Sequence, residues 1–101
     1  MEYRVVDTEK GQEIWIEGSF TFRDHDRFFE VVSLIKNSKD EQMTFNLSKC
    51  DFIDSAALGM FVIASDEASA KNMNLIIKSA TGKVKDVMFA ARFDSLYTFE
   101  D

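Results

Sequence analysis

The stretch from Cys50 to Ala64 constrains this chain most. It follows an apolar, strand-like run, Met43-Thr44-Phe45-Asn46-Leu47, by way of polar Ser48 to Asp51. From Asp54 onward the apolar positions recur at helical spacing: Leu58, Phe61 and Val62 stand at i, i+3 and i+4. Ala57, Ala64 and Ala68 are small enough to let that helix lie close on a sheet. Asp54 and Ser55 therefore fall where a helix begins. Backbone N–H groups lack partners at such an end, and an Asp or Ser side chain satisfies one of them, so either residue reads as an N-cap. A second reading makes Ser55 a hydroxyl held at the surface for modification.

The flanking segments repeat the alternation of strand and helix. Tyr3–Asp7 and Glu13–Glu17, separated by Thr8-Glu9-Lys10-Gly11, predict an antiparallel hairpin whose second strand ends at Gly18. Ser19 to Arg23 reads as a loop. It leads into a first helix with Phe28, Val31, Val32 and Ile35 as its apolar stripe and Asp24 and Asp26 in its first turn, where carboxylates suit the helix dipole. After the central helix, Met73–Lys78 predicts a strand. Thr81 caps a third helix with Val84, Val87, Met88 and Ala91 inward; Arg92 to Ser95 turns, and Leu96–Phe99 closes with a short strand.

The order β-β-α-β-α-β-α-β predicts an α/β fold: a mixed sheet with an N-terminal hairpin and parallel crossovers, its helices packed mainly on one face. The other face then needs shielding by Trp15, by some of the Phe residues or by another protein molecule. The chain has 101 residues, no Pro and no internal repeat, so residues 1–101 read as one domain. No apolar run is long enough to span a bilayer and the start lacks signal-peptide character, which predicts a cytoplasmic protein without membrane contact.

Several chemistries lack their residues. A net charge of −6 with no basic cluster argues against nucleic acid, and Lys83 and Lys85 read as a solvated helix face. The single cysteine, Cys50, excludes an internal disulfide and a cysteine metal cluster, and reads as a small, partly buried residue. The lone His25 sits in a charged first turn without a nucleophile to serve. Phe20, Phe22, Phe28 and Phe29 read as core and helix-packing material, and four glycines make no phosphate loop. Asp51 and Asp54 as a magnesium pair would need further acidic residues and a Lys that the pattern does not supply. No catalytic residue, metal or cofactor is expected.

The run Ile53-Asp54-Ser55-Ala56-Ala57-Leu58-Gly59, in this order of elements, resembles the signature of STAS domains, the fold of bacterial anti-sigma factor antagonists. The likeness extends from about the second strand to the last. It implies a non-enzymatic partner switch in which a protein serine kinase that doubles as an anti-sigma factor phosphorylates Ser55 and a Ser/Thr phosphatase reverses the reaction. The partner surface so implied comprises Thr21, Asp54, Ser55, Ala56, Ala57, Leu58, Gly59 and Met60. Three departures accompany it. Ala56-Ala57 stand where Ser or Thr followed by Gly is usual, Thr21 stands where many members have Asp, and a helix common after the last strand is missing, which leaves room for a homodimer. A small-molecule or nucleotide sensor and an unphosphorylated interaction module are the alternative readings.

Overall fold

A computed structural model, which describes residues 1–101, has nine main elements. They are β1 (Glu2–Thr8), β2 (Gly11–Phe20), α1 (His25–Asn37), β3 (Gln42–Asn46), β4 (Cys50–Ile53), α2 (Ser55–Ser69), β5 (Asn74–Lys78), α3 (Gly82–Ala90) and β6 (Thr98–Glu100). The strands form one mixed sheet of six. β1 pairs antiparallel with β2, and β2-β3-β5-β6 follow in parallel. This is the expected α/β architecture with one added strand.

That strand, β4, was hidden by its shortness. Cys50–Ile53 read as a polar lead-in to the central helix, yet it pairs parallel with the far end of β2. The same pairing corrects the expected end of β2. Gly18 does not stop the strand; at a φ of 83° it makes a bulge, after which Ser19 pairs with Phe52 and Phe20 with Ile53. One long strand thus serves two short neighbours in turn. At its other end Gly11 closes the hairpin at a φ of 120°, where any Cβ would lie 2.3 Å from the Gln42 carbonyl oxygen.

The helices pack on the face formed by Ile14 and Ile16, Met43 and Phe45, and Leu75 and Ile77, all of which are buried. The Phe61 ring is central there, 5.4 Å from Phe20, 5.3 Å from Phe28 and 5.4 Å from Phe45 between centroids, mostly edge to face. The Tyr97 hydroxyl donates to the Phe61 carbonyl at 2.6 Å, and burial pushes its phenol pKa well up. Tyr97 therefore anchors the segment before β6 in the core, and β6 begins later than Leu96, which is exposed.

Two helix faces differ from their expected stripes. In α2 the buried residues are Ala57, Met60, Phe61, Ala64, Ser65 and Ala68, so Leu58 sits on the margin and Val62 and Ile63 face outward. In α3 only Val84 and Met88 are buried; Val87 is exposed, and Ala91, also exposed, lies beyond the helix, which ends at Ala90. Thr81 occupies the N-cap position of α3 but makes no side-chain cap bond. Cys50 is buried, and desolvation pushes its thiol pKa up.

The uncovered face is polar rather than apolar. Glu13, Thr44, Ile76, Lys78 and Glu100 line a shallow depression there. Buried Asn46 donates to Glu13 at 3.1 Å and accepts from the Ser48 N–H at 3.0 Å. Trp15 lies under the Arg4 guanidinium, 4.9 Å from its centroid, and the Lys49 ammonium, at 6.0 Å. Of the expected shields, Trp15 is the one found on this face, together with charged side chains. No helix is long and apolar enough to cross a membrane.

Candidate functional site

Two helix entrances meet at one end of the helical layer. The first is the segment before α1, where Thr21-Phe22-Arg23-Asp24 forms a capping box around a 3-10 turn rather than a plain loop. The Thr21 hydroxyl accepts from the Arg23 N–H at 3.4 Å, and the Asp24 carboxylate accepts from the Thr21 N–H at 2.9 Å. The other Asp24 oxygen receives the Met1 ammonium at 2.7 Å. Burial alone would push the Asp24 carboxyl pKa up. The hydrogen bonds from the ammonium and Thr21, with the charge of Arg27, outweigh it and hold the pKa below its ordinary value.

The second entrance is the start of α2. Asp54 is extended, with a ψ of 179°, and its Oδ1 accepts from the Ala57 N–H at 2.8 Å as a true N-cap. Its Oδ2 accepts from the Phe22 N–H at 3.1 Å. The Asp54 backbone adds two more bonds, donating to the Phe20 carbonyl at 3.3 Å and accepting from the Leu58 N–H at 3.1 Å. One carboxylate therefore caps α2 and ties it to the turn that opens α1. Each of its oxygens accepts one backbone N–H.

With the cap assigned to Asp54, Ser55 has no structural duty. It is the first residue of α2, it is exposed, and its hydroxyl makes no hydrogen bond within the chain. Gly59, one turn along, is also exposed, and a Cβ there would meet nothing within 4 Å. Ala56 and Leu58 are half-buried. Ala57 and Met60 are in the core, which corrects their expected place on a docking surface: the α2 face that packs on the sheet includes them both. Val62 and Ile63 stand outward instead.

The turn before α1 adds an aromatic ladder that composition placed in the core. Phe22 is 65% exposed and Phe29 42% exposed. The His25 ring stacks on Phe22 at 5.2 Å and meets Phe29 edge-on at 6.4 Å, while its Nδ1 lies 3.0 Å from the Phe22 carbonyl oxygen. Only Phe20 and Phe28 of that set are buried. The Phe22–Asp54 link had no signal in the sequence; the capping box did, as a Thr followed by an acid three residues later.

The model of the STAS domain family matches residues 7–101. A STAS-domain containing protein of Pseudomonas aeruginosa (strain UCBPP-PA14) is 24% identical over 99 residues, 96% of this chain and 97% of that one. Among solved structures, an anti-sigma factor antagonist from Mycobacterium paratuberculosis superposes with a TM-score of 0.86 at 10% identity, over 98% of this chain and 84% of that one. The anti-sigma factor antagonist SpoIIAA in its unphosphorylated form gives 0.77 at 15%, over 99% and 88%. Its phosphorylated form, from Bacillus, gives 0.74 at 14%, over 97% and 90%. A sulfate transporter family protein from Wolinella succinogenes reaches 0.75 at 14%, over 88% and 75%, so the fold is shared by proteins of different roles.

Proposed function

Because this chain belongs to the STAS domain family, we propose that it is a non-enzymatic module of a bacterial partner-switching system. Unmodified, it binds a protein serine kinase that doubles as an anti-sigma factor; phosphorylated on Ser55, it lets go, and a Ser/Thr phosphatase resets it. The observation that carries this reading is the freedom of the Ser55 hydroxyl beside an Asp54 that caps the helix with one oxygen and holds the Phe22 N–H with the other. In the transfer, Oγ forms a bond to the γ-phosphorus of ATP, the bond to the bridging oxygen breaks, ADP leaves, and the hydroxyl proton passes to a base of the kinase.

The physics favours a switch without a change of fold. A phosphate adds about −1.5 to −2 charge, which the first turn of a helix tolerates. The cost falls on the complex, where a dianion would be desolvated against a surface that had met a neutral hydroxyl. A loss of about 1.4 kcal/mol already weakens binding tenfold. Gly59 supports the same reading. Glycine inside a helix costs roughly 0.5–1 kcal/mol relative to alanine, and no steric contact in this fold demands it. It leaves a flat place one turn from Ser55, which a partner can approach closely.

The test is binding of the cognate kinase by isothermal titration. Ser55→Ala should bind as the wild type does and Ser55→Asp should not; equal binding by both would remove the switch. The ligand-sensor reading has less support, since the depression beside the site is open and its carboxylates, Asp24 and Asp54, are already bonded within the chain.

A further inference from the structure

We infer, resting on the Ser55 reading above, that Arg23 is the chain's own partner for the phosphate once Ser55 carries one. The chain has four arginines, and three spend their guanidinium groups on carboxylates: Arg4 on Glu17 at 2.9 Å, Arg27 on Glu2 at 2.8 Å and Arg92 on Asp94 at 3.7 Å. Arg23 is exposed and its guanidinium has no carboxylate, in a chain with 18 acidic against 12 basic residues. An excess of acid makes an unpaired arginine conspicuous.

Its place in the fold accounts for this. Arg23 lines one shallow depression with Asp24 and Asp54, whose oxygens each accept from the Met1 ammonium or from the N–H groups of Thr21, Ala57 and Phe22, and a second with Glu2, Asp26 and Glu30, yet its guanidinium pairs with none of these carboxylates. The backbone of Arg23 is held by the Thr21 hydroxyl, and the residue before it is pinned to Asp54, the neighbour of Ser55. Arg23 thus follows a residue tied to the neighbour of Ser55, and its guanidinium has no anion of its own. Its planar fork of donors matches phosphate oxygens, which the committed carboxylates of Asp24 and Asp54 would otherwise only repel. Pairing would steady the modified state and hold the phosphate over the surface that a partner must cover.

The test uses the full chain carrying phosphoserine at position 55, installed during translation, as wild type, Arg23→Gln and Arg23→Lys. The second phosphate ionisation is followed by phosphorus NMR. Asp24, Asp54 and His25 are common to all three proteins, so the comparison isolates the residue at position 23. The phosphate pKa should lie roughly half a unit or more lower in the wild type than in Arg23→Gln, with Arg23→Lys between. The gap should shrink in high salt. Superimposable curves would overturn the assignment. Kinase binding by Ser55→Asp is measured in parallel: its loss alongside superimposable curves discards Arg23 alone, whereas its retention discards the switch on which the inference rests.

Discussion

The two ends of the helical layer are built with opposite charges. At one end α1 and α2 begin, and carboxylates receive N–H groups: Asp24 takes that of Thr21, and Asp54 takes those of Ala57 and Phe22. At the other end α1 stops, and a cation receives carbonyls. The Lys71 ammonium donates to Ile35 and Lys36, each at 2.9 Å, and also to Ser38. Each arrangement suits the helix dipole it meets. The difference lies in what is left over. Lys71 spends its charge on three carbonyls and closes its end, whereas the entrance end keeps a free hydroxyl at Ser55 and a free guanidinium at Arg23. A site needs unspent groups on a well-tied frame, and at the entrance end those groups stand beside a carboxylate that ties two helices together.

Breaking the tie at the entrance should have the largest effect. Asp54→Ala orphans two N–H groups at once and should cost about 2 kcal/mol in urea unfolding, with raised amide exchange at Phe22 and Ala57. A cost no greater than that of an ordinary surface substitution would show that the two entrances are not coupled. Next comes the closed end: Lys71→Met keeps the apolar stem and removes the cation, and should cost about 1–2 kcal/mol. Gly59→Ala should move the other way, stabilising the fold by about 0.5–1 kcal/mol while weakening the kinase complex. If binding is unaffected, the flat place beside Ser55 has no partner.

Asp24 separates the ends by pH. Its folded-state pKa lies below its ordinary value of 3.8, so its contribution is present above that value and is lost as pH falls through the folded pKa. Wild type should therefore exceed Asp24→Asn in thermal stability at neutral pH, and the gap should close in acid. A gap independent of pH would mean that the carboxylate charge is not what holds the Met1 ammonium and the turn. The smallest effect belongs to Ser55→Ala, expected within roughly 0.5 kcal/mol of wild type because its hydroxyl bonds to nothing in the chain. A larger cost would return Ser55 to a structural role.

Periodicity and composition alone determined much of this molecule. The hairpin, the three helices, the α1 stripe and the start of α2 at Asp54-Ser55 are written in local spacing, since a residue's place on a helix or strand depends on its near neighbours. The motif from Ile53 to Gly59 likewise singled out the family and Ser55 without coordinates. Tertiary structure decided what spacing could not. Cys50–Ile53 became a strand only because β2 runs far enough past Gly18 to pair with it. Val62 and Ile63 turned outward because the sheet lies against the Ala57-Phe61-Ala64 side of α2, and a helix apolar on several sides does not announce which side is buried. The division of labour between Asp54 and Ser55 is of the same kind. Either side chain can cap a helix, and the choice was made by Phe22, 32 residues earlier in sequence, whose N–H meets one oxygen of Asp54 and leaves the serine free.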